Sequence, residues 1–588
     1  MPSVPSTRPP DRPSRRAFLA ATAAGVTVAT SGCADRLSQT LNPISSDGLS
    51  LSITTLPADA DREGIQIARH LRENLESVGI SSSVDMRPRS EYLRQILISH
   101  SFDIYVGQLV NVTDPDVLYE ALHSTFAAES GWQNPFGYTN RILDDLLEEQ
   151  RQTTGEEREA AVADLADAIA RELPFVPLCR PEEFRVVRTD NVSGWSDSLT
   201  ERTGYLDLDT ADGVSHLSAL LTDTGPSRNI NPIAAPYRDR GTIISLLYDS
   251  LGTVTDEGIV EPWLAQEWDW EDDRVTVTLR ENVQFHDGET LTAEDVATTY
   301  RLLEDTSLGH ADLASPSPQH RRHAVTVSEV EAVDDTTVRF WMEAARPVAE
   351  RAFTVPILPA HIWTSVVEDH AEEEDEFEQG AHSLVDDEEI DPIGSGPFAY
   401  ADSSEREYLT LERHDEHFTT NSDVDLPKPT LEEIVIGIDP SSLTAIDQVA
   451  AGTADVTISP LDANAVTRAE SVDSEYVETI GVSSDTVYIV GFNTRSIPLS
   501  DPSIRHAIAQ LVDKSWVVDA IFEGHGEPVA APVGEEWVPG HLEWNDEDPV
   551  SPFFGQDGQL DEEAARIALE EARLPYDDDD DTFLDPTD

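Results

Sequence analysis

Charge sets the first limit on this chain. Its 588 residues carry 114 Asp and Glu against 39 Lys and Arg, a formal net charge of −75 at pH 7. Self-repulsion on that scale opposes any compact state in dilute buffer. At about 1 M salt the Debye length contracts to roughly 3 Å and most of that cost disappears. The sequence therefore predicts a protein built for a salt-loaded, halophilic setting. The same imbalance excludes a nucleic-acid binder, which needs a basic footprint against phosphates. It does not imply disorder, because 39% of the residues are hydrophobic and ten are tryptophan, more than a disordered acidic chain carries. The acid belongs to the surface, and the length allows three or four domains around ordinary cores. Lys428 and Lys514 are the lysines; every other base is arginine.

Residues 1–33 read as an export address. Ser14-Arg15-Arg16-Ala17-Phe18-Leu19 looks like a twin-arginine motif. The bland run from Ala17 to Thr30 that follows suits a signal h-region and is shorter than the ~20 apolar residues of a membrane span. Thr30-Ser31-Gly32-Cys33 looks like a lipobox, with Cys33 as the lipidated new N-terminus or, on the plainer reading, the end of an ordinary export signal. Residues 34–48 form a flexible tether. Cys179 lies in the apolar run Phe175-Val176-Pro177-Leu178-Cys179 and is expected to be a buried small hydrophobe.

Periodicity then alternates between helix and strand. Ile65, Ala68, Leu71, Leu75 and Val78 share one face of a helix over 61–79. Helices are also predicted at 140–150, 156–172, 241–250, 293–304, 442–451, 503–513 and 561–573. Strands are predicted at 216–221, 275–279, 325–332, 336–342, 408–413, 434–438 and 487–493. Thr292-x-x-Asp295 is a capping-box pattern. Residues 204–213 read as a polar linker, 368–391 as an acidic surface insertion, and 577–588 as a disordered acidic tail. Mixed elements over this length imply a multidomain α/β architecture.

Five segments carry a resemblance. Tyr248-Asp249-Ser250-Leu251, Ile259 to Trp268, Val275 to Arg280, Val283-Gln284-Phe285-His286-Asp287-Gly288 and Leu291 to Val296 follow one another in a specific order. Ile393-Gly394-Ser395-Gly396-Pro397-Phe398, Phe492-Asn493-Thr494, Asp501-Pro502 and Arg505-His506-Ala507-Ile508 come later. Together they resemble the family 5 extracellular solute-binding proteins of ABC importers, the dipeptide- and oligopeptide-binding type, here haloarchaeal-like. His286 is expected to be a turn residue. The material that should follow the 561–574 helix is instead similar to residues near the N-terminus: Leu49 to Ile80, Phe102 to Val106, Asp114-Pro115-Asp116, Gly137-Tyr138-Thr139-Asn140, Phe175 to Leu178 and Asn191 to Trp195. The order reads as circularly permuted, with 204–213 joining the former ends, or as a remnant fused to a shortened copy.

The resemblance implies a two-lobed periplasmic-binding-protein-like α/β fold (type II, cluster C) with an extra strand-rich domain. One lobe would comprise 49–174 and 494–576, the larger lobe 175–261 and 392–493, and the extra domain 262–391. A small solute or peptide would be captured by lobe closure and passed to ABC permease and ATPase subunits. The protein would be a monomer, lipid-anchored at the outer face of the membrane, without cofactor. A solute-sensing receptor would use the same cleft. In peptide-binding relatives an aspartate three residues before Asp-Pro holds the ligand ammonium; that position here is Asn111, which lacks the charge. Trp132, Tyr138, Phe492 and Asn493 are candidate cleft linings or ordinary core, and 228–240, with Asn229, Asn231 and Tyr237, is a candidate cleft loop. An enzyme finds no support: no Gly-x-Ser-x-Gly elbow, His-Glu-x-x-His, Walker loop or cysteine pair occurs. His310, His320 and His323 sit in a polar, Pro-rich stretch and are expected to be exposed.

Overall fold

The computed structural model describes residues 48–587 except 130–132, 197–198, 207, 223–228, 235–240, 256–257, 312–313, 315, 318, 374–383, 385–389, 422–423 and 578–579. Arg15, Arg16, Cys33, Trp132 and Tyr237 lie outside the described residues, as does most of the acidic insertion. Among the described residues no helix is long and apolar enough to cross a membrane.

One strand organises the molecule. Phe175–Arg188 is 14 residues long, and its two halves belong to different sheets. Phe175 to Cys179 pairs antiparallel with Val487–Phe492. Beyond that strand lie Ile104–Leu109, Ser50–Thr55 and Ser81–Met86, the last three parallel to one another. Glu182 to Arg188 pairs antiparallel with Val477–Ser483, and Val187 with Val456. From there the second sheet continues through His216–Leu221, Glu433–Ile438, Tyr408–Arg413 and Phe398–Ser404. Two connections thus cross between the sheets side by side, at Arg180–Pro181 and at Ser484–Thr486. All six residues of Val487–Phe492 are buried, as expected of a strand covered on both faces.

Each sheet has its own core. Leu51, Ile53, Leu71, Leu75, Val490 and Phe492 pack with Leu569 and Phe583 in what we term the terminal lobe. Phe102, Tyr105, Phe136, Tyr138 and Leu143 form a second cluster of that lobe. In the central lobe Val187, Leu217, Trp263, Phe285, Phe340 and Ile434 share one cluster. That cluster includes the four-stranded antiparallel sheet Ala265–Glu271, Arg274–Leu279, Thr337–Met342 and Val327–Asp334. The strand-rich domain is therefore fused to the central lobe through a common core. The helix Ala293–Glu304 covers it, with Tyr300 edge-on to Phe340 at 5.0 Å.

Local chemistry explains the helices. Asp61 caps Arg62–Ser77 through Gly64 N at 2.8 Å, Asn140 caps Arg141–Gln152 through Ile142 N at 3.0 Å, and Thr292 with Asp295 forms the reciprocal capping box. His286 works as a turn residue: its Nδ1 accepts from Gly394 N at 3.2 Å and its Nε2 meets Gly396 O at 3.1 Å. Gly394 and Gly396 are required there, because a Cβ would stand 2.1 Å from Leu247 O and 2.4 Å from Leu246 O respectively.

Three expectations need correction. The lobe borders at 174/175 and 493/494 do not coincide with the separation of the sheets, because Phe175–Arg188 itself passes from one sheet to the other and Val487–Phe492 pairs in the terminal lobe. Residues 204–213 are not a loose linker: Tyr205, Leu206 and Leu208 are buried, and Asp209–Thr210 pairs with Val192–Ser193. The end of the chain is not a disordered tail either. Tyr576–Asp577 pairs with Thr582–Phe583, Phe583 is fully buried, and Leu49 N donates to Phe583 O at 2.6 Å.

Candidate functional site

The terminal and central lobes face each other across a cleft and touch along it. Ala463 N donates to Glu63 Oε1 at 3.2 Å, Ala345 N to Arg151 O at 2.7 Å, and Arg351 lies 3.3 Å from Asp114. The molecule is thus in a closed arrangement. Three cavities lie in and beside the cleft. One, of about 280 Å³, is walled by Asp61, Glu63 and Tyr488 of the terminal lobe and by Thr222, Ile244 and Asp462 of the central lobe. A second, of about 250 Å³, lies between Asn111, Asp114 and Glu120 on one side and Arg202, Tyr248 and Arg351 on the other. Ile244 lines both. The third, of about 120 Å³, runs into the terminal lobe among Tyr92, Leu93, Ile96, Tyr105 and Phe136, and shares Asp61 with the first and Glu120 with the second. A solute held here would touch both lobes and find an apolar recess.

The two ends of the cleft differ in charge. At the first cavity, burial pushes the Glu63 carboxyl up to about 7, reinforced by Asp61 and Asp462 and opposed by backbone N–H groups. Tyr488 donates its hydroxyl to Asp61 Oδ1 at 3.1 Å. At the second cavity, guanidinium groups gather. Arg151 grips Asp116 through Nε at 2.6 Å and Nη2 at 2.9 Å, and Arg158 donates to Asp114 Oδ1 at 2.8 Å. Burial alone would raise Asp114, but Arg158, Arg351 and Arg322 outweigh it and hold the carboxyl below its ordinary range. Behind this wall Asp249 is fully buried and accepts from Arg202 Nη1 at 2.8 Å and Trp263 Nε1 at 2.6 Å, with His417 Nε2 at 3.2 Å. The paired motif residues Asp249 and Trp263 therefore bond to each other.

The sequence-predicted residues are dispersed. Asn111 is exposed, lines the second cavity and adopts a left-handed φ of 60°. Tyr138 is buried in the terminal lobe, donating to Glu172 at 3.0 Å and accepting from Asn140 at 2.9 Å. Phe492 is core. Asn493 is buried, its amide donating to His100 O at 3.1 Å and Phe102 O at 2.8 Å. Asn229 and Asn231 make turns, accepting from Asn231 N at 2.8 Å and Ile233 N at 3.0 Å; their neighbours Ile230 and Pro232 line the cavities instead. His310 is exposed as expected, whereas His320 and His323 are half-buried in the second cavity. Glu63, Tyr488, Arg322 and Arg351 carry no motif. Only the helix and strand periodicity around the first two pointed to ordered positions.

A family model described as bacterial extracellular solute-binding proteins, family 5 Middle, matches residues 260–587. The chain belongs to this family. Heme-binding protein A of Haemophilus influenzae is 24% identical over 327 residues, 54% of this chain and 54% of that protein. Oligopeptide-binding protein AppA of Bacillus subtilis is 27% identical over 273 residues, 46% of this chain and 43% of that protein. The chain thus spans about half the length of the curated relatives it matches. The solved structure of Bacillus subtilis AppA with a nonapeptide aligns at a TM-score of 0.46 and 20% identity, over 64% of this chain and 68% of that one. The matched stretch covers the strand-rich domain, the last sheet strands of the central lobe and the C-terminal part of the terminal lobe. The family's two-lobed α/β plan is the one the paired sheets form.

Proposed function

We propose that this chain is the solute-capturing component of an ABC importer, and that it binds a small organic solute between its lobes without turning it over. The observation that carries the reading is a closed cleft whose walls come from both lobes, with side-by-side crossing connections at 180–181 and 484–486 able to act as a hinge. Ligand affinity then reflects how much better the closed state holds the solute than the open one. Relatives named for oligopeptides and heme bracket the solute class broadly. Asn111 in place of an acid, beside clustered arginines, supports a solute that does not depend on a free ammonium at that point. Small-angle scattering on the mature chain tests the reading: removing co-purified solute should enlarge the radius of gyration and returning it should restore the smaller value. An unchanged radius refutes capture by closure.

Export and anchoring through Arg15, Arg16 and Cys33 belong to the same proposal. A Cys33→Ala variant should partition into the medium. The acidic surface supports a high-salt habitat, and unfolding midpoints should rise steeply between dilute and multimolar KCl. A rotated chain order is supported by the joining of remote segments. Phe583 N donates to Gly79 O at 3.0 Å, and Thr494 N to Phe136 O at 3.0 Å. A chain re-ordered to begin near 214, with 587 linked to 48, should fold and melt within a few degrees of the original; failure to fold argues against it.

A further inference from the structure

Arg322 differs from the other buried arginines of the cleft. It is 8% exposed and lines the second cavity, yet among the described residues no carboxylate lies within ion-pair reach. Its Nε and Nη1 have no hydrogen-bond partner there. Its one side-chain contact of that kind is from Nη2 to His323 Nε2 at 3.3 Å. Because a guanidinium can only donate, His323 must accept at Nε2 and carry its proton on Nδ1. Burial together with Arg322 keeps that imidazole neutral, its pKa well below the ordinary value. His323 Nδ1 is itself buried without a partner among the described residues. The adjacent acid is already committed, since Asp114 is shared by Arg158 at 2.8 Å and Arg351 at 3.3 Å. Glu120 and Glu201 line the same cavity but neither pairs with Arg322. Arg322 acts on Asp114 only at longer range, and that carboxylate is already shared by Arg158 and Arg351. Buried positive charge in excess of its acids is unfavourable, and a planar guanidinium beside a second donor is the arrangement that recognises a carboxylate or phosphate.

We propose that Arg322, with His323 beside it, receives an oxyanion of the captured solute, a carboxylate or phosphate, in the cavity between the strand-rich domain and the terminal lobe. The inference rests on the solute-capture reading and adds the chemistry of one end of the ligand. Charge then enters the mechanism of closure. The strand-rich domain supplies Arg322 and Arg351, and the terminal lobe supplies Asn111 and Asp114. Asp114 is shared by Arg158 and Arg351, and an oxyanion between the lobes supplies the direct partner that Arg322 lacks.

The test is calorimetric titration of the full mature chain with citrate and, separately, inorganic phosphate at one fixed multimolar KCl concentration, beside Arg322→Met and Arg322→Lys. At least one anion should bind the parent chain, R322M should weaken it by about tenfold or more, and R322K by less, as loss of a charged hydrogen bond implies. Binding of citrate alone assigns a carboxylate, and binding of phosphate alone a phosphate. Unliganded R322M should melt no lower than the parent, because the substitution breaks no direct ion pair and relieves crowding among guanidiniums. The proposal is overturned if neither anion binds the parent, if R322M binds within twofold of it, or if R322M melts lower while binding is retained. Failure of solute capture itself would show instead as an unchanged radius of gyration, whatever residue stands at 322.

Discussion

Replacing Glu63 by Gln should remove a proton-linked component of stability that closure creates. In the closed arrangement Glu63 is buried, faces Asp462 of the opposite lobe and accepts from Ala463 N. Its carboxyl is raised from 4.5 to about 7. The folded chain therefore holds this proton more tightly than the unfolded one. The stability it contributes is fully present below about pH 4.5 and is lost as pH rises through 7. At 1.36 kcal/mol per pKa unit, the loss across that window is about 3 kcal/mol. Gln keeps the acceptor for Ala463 N and has no proton to lose. Urea unfolding of both proteins from pH 4.5 to 8 at constant salt measures the difference. The two should agree near pH 4.5, and E63Q should become the more stable by roughly 3 kcal/mol above pH 7. Titrations elsewhere cancel in the comparison. Parallel curves would refute the claim that burial and the facing carboxylates govern this group.

Three other substitutions probe the frame around the cleft. Asp249→Ala leaves Arg202 and His417 without their shared, fully buried partner and should cost about 3–5 kcal/mol in urea unfolding; a loss under ~1 kcal/mol, the scale of a surface pair, contradicts that reading. Phe583→Ala empties a core position and should cost about 3–5 kcal/mol, visible as a lower melting midpoint, whereas a loose chain end would show no change. Tyr138→Phe removes the hydroxyl that bonds Glu172 and Asn140. It should cost about 1 kcal/mol of stability with solute affinity unchanged, and a drop in affinity would place Tyr138 in the site.

Much of the fold was legible because its signals are local. Thr292 and Asp295 announce their capping box within four residues, and Asp61, Asn140 and Asp561 cap the helices that periodicity predicts. What failed depends on packing between remote segments. Phe583 follows a run of aspartates that reads as solvated charge, yet its place is fixed by Leu49 and Gly79 at the other end of the sequence. Phe492 and Asn493 carry a motif, but a strand buried on both faces gives no alternation to show which side chains look into a cleft. His320 and His323 sit in a polar, Pro-rich stretch; they are half-buried because the terminal lobe closes over them, and nothing near them in sequence records that lobe.

The surface charge and the cleft charges answer to different physics. In multimolar salt the field of exposed carboxylates is screened within a few Å, so a net charge of −75 exerts little force at a distance. Buried pairs are screened far less. Several interior bases are paired with acids: Arg151 with Asp116, Arg185 with Glu183, Arg202 with Asp249, and Lys514, one of only two lysines, with Asp548 at 2.7 Å. Buried Arg180 and Arg505 donate to backbone carbonyls instead. With 114 acids available to 39 bases, partners are abundant, and a buried guanidinium that has neither an ion-pair nor a carbonyl partner among the described residues is not a consequence of composition. Arg322 is such a residue, and it lies on the wall of the cleft. In multimolar salt, selection among solutes by charge would fall to groups buried in the cleft rather than to the surface.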